Sequence, residues 1–513
     1  MRCEKGAKIV YCGGMRSNDV LRVVVMVAVV AAVTLVCFGQ GVTTTPKADD
    51  AKPTRPNAGQ TMVFVGGRVI PIAGPELADG VLIVRDGKIV TVGKTGEIAV
   101  PDGAVVVDVA GKTIMAGLVD THSHVGGVAS ADRSSPMQPE CRIMDSINPK
   151  DSGFRRVLAG GITTMNIMPG SGHLLSGQTL YAKPRRPGGK APERVDDLFI
   201  VDKLGEPMWG VKMANGTNSL GDPPFSGTRA KSAAIVRERF IKAREYKAKL
   251  DDAKLPDGTM DPAKAPTRDL ALETLVEILE GKRIVHHHTH RADDILTVLR
   301  LREEFGFRVV LHHTSEAWKI PDAIAKAGVS CSIILVDSPG GKLEAAELNW
   351  KTGGILERAG VRVSMHTDDW ITDSRLFLRS AALAVRAGMT REGALNALTL
   401  VAAEQLDLAD RVGSLEAGKD ADFIILSGDP LSVYTHVLET WIEGVRVFDR
   451  SNADDRLFAV GGPGAGKDQA IYLCCAQDGF WFGGKQWGSG GASGGTSGGG
   501  SAQGSNSSSG GGQ

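Results

Sequence analysis

The chain has 513 residues, with 65 glycines, 23 prolines and 7 cysteines, long enough for a large buried core in one big domain or two smaller ones. Lys and Arg number 59 and Asp and Glu 59, so the formal net charge is zero, which argues against a nucleic-acid binder held by electrostatics. A hydrophobic content of 42% excludes a wholly disordered chain and a polytopic membrane protein, and 5% aromatics disfavour an aromatic platform for sugars or bases.

Residues 1–40 read as a signal peptide or N-terminal anchor. Val23 to Phe38 is an almost unbroken apolar run behind Arg16 and Arg22, followed by the small residues Gly39 and Gly41. The run is shorter than the roughly 20 residues of a membrane span. Met15 is an alternative start, and Thr34-Leu35-Val36 before Cys37 lacks the small residue of a lipoprotein site. The expected location is secreted or periplasmic, with membrane contact only if this segment stays uncleaved. Residues 41–60 form a linker rich in Thr, Pro, Lys and Asp. Cys141, Cys331, Cys474 and Cys475 show no pairing pattern.

From residue 61 to 115, short Val/Ile runs alternate with Gly/Asp turns (MVFVGGRVI, GVLIVRDGKIV, AVVVDVAGKTIM), the mark of a small antiparallel β unit. The pattern returns in GSLEAGKDADFIIL and ETWIEGVRVFDR, so residues 61–115 and 410–450 are expected to form one composite β-sandwich domain. Between them, over 116–409, eight candidate strands alternate with helical patterns: Leu118–His122, Gly161–Met168, Gln178–Lys183, Trp209–Met213, Arg283–His288, Arg308–His313, Val329–Val336 and Val361–Asp368. This is the α/β pattern of a (β/α)8 TIM-like barrel, with a doubly wound open sheet as the alternative. Residues 220–266 exceed one βα unit and read as an insertion over the barrel mouth, a candidate lid. Residues 451–482 are a C-terminal extension, and 483–513 a Gly/Ser-rich tail expected to be disordered. GGPGAGKD at Gly461–Asp468 mimics a phosphate loop, but Asp468 stands where Ser or Thr is needed.

Of 11 histidines, nine lie in four places, each the C-terminal end of a candidate strand: His122 and His124; His286, His287, His288 and His290; His312 and His313; His366. Strand C-termini of a barrel converge on one mouth, and neutral imidazoles gathered there suit a divalent transition metal. His122 and His124, two apart on a strand, share a face, whereas His312 should face opposite to His313, and Asp369 away from Asp368. His288 to His313 spans 25 residues, about one βα unit, and His313 to Asp368 spans 55, about two. His173, in PGSGHLLSGQ, is either a pocket-lining or a plain loop histidine. Arg155, Arg156, Arg185 and Arg186 read as solvated charge by default, with an acidic substrate group as the alternative.

With GLVDTHSH, HTHRADDI, LHHTSEA and HTDD at strand ends, and GKIVTVG and GSLEAGKDADFIIL in the flanks, residues 61–450 resemble the amidohydrolase superfamily, in its imidazolonepropionase-like and dipeptidase-like branch. The resemblance implies metal ligands His122, His124, His288, His313 and Asp368, with Asp368 also handling protons. His286 and His290 share the face of His288, so either is the alternative at that position. Lys212, in GVKMANGTN, matches a strand-4 lysine that bridges two metals when carboxylated; a neutral-amine or salt-bridge role is equally open, and with it one ion or two. The cofactor implied is a divalent metal, zinc foremost, and the substrate a small molecule; an oligomer is an analogy with the superfamily. The implied activity is hydrolysis of an amide-type C–N bond in a cyclic amide, a dipeptide or an N-acyl compound. Asp368 would act on the water, and His290 would be one donor to the oxyanion. The alternatives are a heterocycle deaminase using the same water, and a non-catalytic metal- or ligand-binding barrel.

Overall fold

A computed structural model describes residues 59–126, 132, 134–185, 192–335, 342–369 and 371–461. The signal-like run, the linker, the phosphate-loop mimic beyond Gly461, Arg186, Cys474, Cys475 and the Gly/Ser tail lie outside the described residues. Among the described residues no helix is long and apolar enough to cross a membrane.

The chain opens with β1 (Thr61–Ile70), β2 (Leu77–Arg85), β3 (Lys88–Lys94), β4 (Val105–Asp108) and β5 (Thr113–Ala116). The central strands are β6 (Leu118–Ser123), β7 (Ile162–Ile167), β8 (Leu175–Gln178), β9 (Leu180–Ala182), β10 (Val211–Ala214), β11 (Val285–Thr289), β12 (Val309–His313), β13 (Ser330–Ile333) and β14 (Val363–Met365). The last three are β15 (Phe423–Leu426), β16 (Val437–Ile442) and β17 (Val445–Asp449).

Strands from both flanks share one eight-stranded sheet, in the order β17-β16-β15-β5-β1-β2-β3 with β4 beside β1. The junction is β5 against β15, where Ala116 pairs with Phe423 and Thr113 with Leu426. One face of this sheet buries Met62, Phe64, Leu82, Val84, Ile114, Phe423, Ile425 and Trp441. Phe64 meets Phe423 and Trp441 edge-on at 5.0 and 5.3 Å, a geometry that adds to area burial.

The central strands form a six-stranded sheet, β14-β13-β12-β11-β10-β8, and a three-stranded sheet, β6-β7-β9. From β10 to β14 all neighbours are parallel. This is the α/β arrangement of parallel strands with covering helices that the sequence predicts. At one margin Ser123 bridges to Asp369, and the Asp368 N–H donates to the His122 carbonyl at 2.9 Å. The third candidate strand, Gln178–Lys183, departs from expectation. It is β8 and β9 on either side of Thr179, running antiparallel to β10 and to β7. The connection from Ile167 to Leu175 is too short for the crossover of a dozen or more residues that a parallel neighbour requires.

Covering helices follow the sequence signals. In Ala292–Phe305, Ile295, Val298, Leu301 and Phe305 fall on one buried stripe, and Gly306, at φ 79°, ends the helix in the left-handed conformation. Each such apolar side chain contributes about 1.5–3 kcal/mol on burial. Asp269 caps Leu270–Leu279 by accepting from the Leu272 N–H. The candidate lid is largely helical. Its helix, Arg229–Asp252, turns Val236, Phe240, Ala243 and Tyr246 inward. Phe240 lies 5.1 Å from Phe305 and 5.5 Å from Phe307, so the helix packs on the flank of the sheet as a covering helix. The apolar stripe of the insertion decides this, because it has to be buried against other apolar residues.

A polar junction lies deep in the fold. The Lys183 ammonium, fully buried, is 2.6 Å from Asp420, 3.0 Å from Asp422 and 3.2 Å from Glu443. Burial alone would lower its pKa, but these carboxylates outweigh that and raise it.

Candidate metal centre

Alternation along the parallel strands sorts their residues. On β10, Val211 and Met213 join the main core, so Lys212 turns to the other side of the sheet. On β11, Val285 joins the core while His286 and His288 face inward beside Lys212; on β14, Val363 and Met365 do so while His366 faces inward. On β6, where the pairing register shifts on either side of Val119 and Asp120, His122 points inward, with His124 just past the strand end on the same side.

Three donor atoms meet there. His122 Nε2 and His124 Nε2 are 3.2 Å apart, and Asp368 Oδ1 is 3.3 and 3.0 Å from them. Lys212 Nζ is 2.9 Å from His122 Nε2. An ion about 2.0–2.1 Å from each of several tetrahedral ligands separates those ligands by about 3.3 Å. The three donors therefore already stand at the edge lengths of a first coordination shell. Nδ1 of His124 lies 2.8 Å from the Met168 carbonyl, which can only accept. The ring proton is thus on Nδ1, and the Nε2 lone pair faces the other donors, the orientation that outer hydrogen bonds impose on metal-binding histidines. Asp368 is in the left-handed region at φ 47°, which an aspartate tolerates better than most residues and which turns its carboxylate inward. Burial would raise the Asp368 pKa, but the neighbouring His124, His366 and Lys212 hold it well below the usual carboxylate range.

Asp120 braces this group. Its carboxylate accepts from the N–H groups of His122 and Thr367, at 3.2 and 3.1 Å, and from the Thr367 hydroxyl at 2.5 Å. Burial pushes its pKa up to about 7 against those hydrogen bonds. Asp369 turns away from the centre, as expected, and accepts from Ser374.

A second group comprises His288, His290 and His313, whose ligand atoms all lie within 4.8 Å of one another. The His288 and His313 rings are 4.3 Å apart, and His290 stacks on His313 at 4.9 Å. The register of β11 leaves both His288 and His290 at the centre, so the two alternatives of the sequence are neighbours here. His312 corrects an expectation: its ring is 5.2 Å from His122, inside, although His313 is inside too. The backbone explains it, because His313 at φ 67° leaves the strand conformation and alternation ends there. His286 accepts or donates between Tyr181, 2.9 Å away, and His312, 3.0 Å away. His366 is 2.7 Å from the Ser332 hydroxyl and stacks on His122 at 4.9 Å.

Burial is the first cause holding these imidazoles neutral. It pushes His286, His290 and His366 down to about 3 and His287 to about 4, and takes His122, His288, His312 and His313 well below the ordinary value. Several buried ring nitrogens, among them His122 Nδ1, His288 Nδ1, His313 Nε2 and His366 Nε2, have no hydrogen-bond partner among the described residues. Neutral imidazoles with inward lone pairs beside an ionised carboxylate fit a divalent transition metal.

Other candidates fall elsewhere. His173 is buried with its ring 5.1 Å from Phe225. Arg155 pairs with Asp455 and lies over Phe458, Arg156 is buried near Asp369, and Arg185 pairs with Glu443. Sequence reasoning missed Asn218, Ser315, Lys342 and Glu344. Asn218 Nδ2 is 3.2 Å from His288 Nε2, and Ser315 Oγ is 2.7 Å from His290 Nδ1. Asn218 closes the GVKMANGTN segment and Ser315 lies in LHHTSEA, but neither is a metal-ligand type; Lys342 and Glu344 stand in no such motif, so spacing carried no signal for them.

An amidohydrolase family model matches residues 201–448. The crystal structure of an amidohydrolase from Thermotoga maritima MSB8 shares 32% identity and a TM-score of 0.67, covering 76% of this chain and 100% of that one. Amidohydrolase tasK of Hapsidospora irregularis is 27% identical over 398 residues, or 72% of this chain, but the match spans only 40% of tasK. An imidazolonepropionase of Rhizobium rhizogenes is 25% identical over 395 residues, covering 71% of this chain and 90% of that protein. The chain belongs to the amidohydrolase family, whose enzymes act on carbon–nitrogen bonds.

Proposed function

We propose that the protein is a metal-dependent hydrolase that cleaves an amide-type C–N bond in a small molecule: a cyclic amide, a dipeptide or an N-acyl compound. The observation that carries this is the meeting of His122 Nε2, His124 Nε2 and Asp368 Oδ1 at 3.0–3.3 Å. These residues would hold the ion, with Lys212 beside it and His288 and His313 on the far side. Zinc is one of the ions that imidazole and carboxylate donors hold, and the one we propose. When bound, it supplies Lewis acidity and brings the pKa of a water toward about 7.

The chain's own groups do the rest. Asp368 is ionised and accepts the proton of the attacking water, then delivers it to the leaving nitrogen. His290 faces the same space, with Ser315 Oγ 2.7 Å from its Nδ1. Asp120 and Thr367 keep β6 and the segment after β14 at fixed separation, so proton carrier and imidazoles hold their geometry. We read the two central sheets as one closed (β/α)8 barrel and the eight-stranded sheet as its companion domain. The apolar run Val23–Phe38 supports action outside the cytoplasm.

The test is a panel of dipeptides, N-acyl amino acids and cyclic amides, assayed after chelation and after zinc add-back, with wild type and His122→Ala. Zinc-dependent cleavage in wild type alone is expected. Release of ammonia from heterocyclic amines with no amide cleavage would overturn the reading in favour of a deaminase.

A further inference from the structure

The second histidine group carries a contact that the proposed hydrolysis does not use. Lys342 Nζ lies 3.2 Å from His288 Nε2, 3.3 Å from His290 Nε2 and 3.1 Å from Glu344 Oε1. An ammonium has N–H donors and no acceptor, so it donates to the two imidazole nitrogens and forms an ion pair with the carboxylate. The Lys342 side chain is only 12% exposed and that of Glu344 only 2%. Glu344 is itself held in place: its Oε2 accepts from the Thr217 N–H at 2.8 Å and lies 3.4 Å from the Arg229 guanidinium. Gly216 passes so close, at φ 74°, that a Cβ there would meet Glu344 Oε2 at 2.5 Å. Residues from separate parts of the chain thus anchor the carboxylate that anchors the lysine.

The acceptors that Lys342 engages are those a metal ion would need. His288, His290 and His313 form one of the three groups among the described residues whose ligand atoms could hold an ion. An imidazole lone pair given to an N–H donor is not open to a metal, so at His288 Nε2 both Lys342 and Asn218, each 3.2 Å away, have to yield to an ion, and at His290 Nε2 Lys342 has to. Two cations at such separations also repel strongly in a buried site. The lysine stem is long and flexible, so the ammonium leaves by rotamer change without any shift of the backbone.

We propose that Lys342 is an intramolecular occupant of the His288, His290 and His313 group, and that a second divalent ion binds there only by displacing its ammonium. This rests on the metal-dependent reading above. An ion at the His288, His290 and His313 group then needs a higher free concentration than it would without the Lys342 ammonium.

The test is zinc uptake by the full chain at graded free zinc, with bound metal counted by elemental analysis, for wild type, Lys342→Met, Lys342→Gln and Lys342→Arg. The first equivalent is expected at the same free zinc in all four. The second is expected at roughly 10- to 100-fold lower free zinc in the Met and Gln variants, the gain from removing a competing state that holds about 90–99% of molecules. Lys342→Arg keeps a cation and should stay near wild type. A second equivalent at unchanged free zinc in whichever neutral variant is folded, or no second equivalent in any chain, would overturn the proposal and leave the first site standing. No zinc bound by any chain would overturn both.

Discussion

Acid is expected to unfold the metal-free protein by way of its histidines. His286, His287, His290 and His366 are buried and titrate near 3 to 4 when folded, against about 6.5 when unfolded. The folded state therefore binds fewer protons than the unfolded state throughout that interval. Stability is full above pH 6.5 and falls as the pH drops through that value. Between pH 7.5 and 5.5 each histidine costs about 1.4 kcal/mol, and the four together about 5 kcal/mol. His122, His288, His312 and His313 shift in the same direction and add to the loss. A folded protein typically has only about 5–15 kcal/mol in hand, so the effect approaches the whole. Urea unfolding of chelator-treated protein, followed by tryptophan fluorescence, should show a midpoint lower by roughly 1–2 M at pH 5.5, taking a slope near 3 kcal/mol/M. Equal midpoints at the two pH values would refute the argument that these imidazoles are buried and neutral.

Asp368→Asn should retain metal while turnover falls about 10²- to 10⁴-fold, since the amide cannot carry the proton; near-normal turnover would move the base elsewhere. Lys183→Met leaves Asp422 without its ammonium partner in the interior and should destabilise the fold by about 3–5 kcal/mol in the same urea assay. Phe64→Ala empties the aromatic cluster with Phe423 and Trp441, with an expected loss of about 3–5 kcal/mol and unchanged metal content, because the cluster lies in the eight-stranded sheet. A parallel loss of metal would show that sheet and site are coupled.

What the sequence made legible follows from periodicity. His122 and His124 are two apart on a strand, and so are His286, His288 and His290, so period 2 alone sends each set to one side. The flank strands were legible because Val and Ile runs are punctuated by Gly and Asp turns, and they do share a sheet. Strand direction was not legible: LSGQTLYA reads as a strand either way, and only the short path from Ile167 reverses it. His312 beside His313 defeated alternation because a backbone angle, invisible in composition, turns His313 back inward. Lys342 and Glu344 reach the centre from a segment with no histidine and no metal-ligand spacing. Their role depends on Thr217, Arg229 and Gly216, more than a hundred residues away in sequence. The insertion was legible as excess length, but its position depended on where Phe240 finds apolar partners.

The most direct measurement is anomalous scattering at the zinc edge from crystals grown with about one equivalent of zinc per chain. The account predicts a single strong peak within about 2.0–2.2 Å of His122 Nε2, His124 Nε2 and an Asp368 carboxylate oxygen. A peak at other residues, or none while His122, His124 and Asp368 are well ordered, would contradict it.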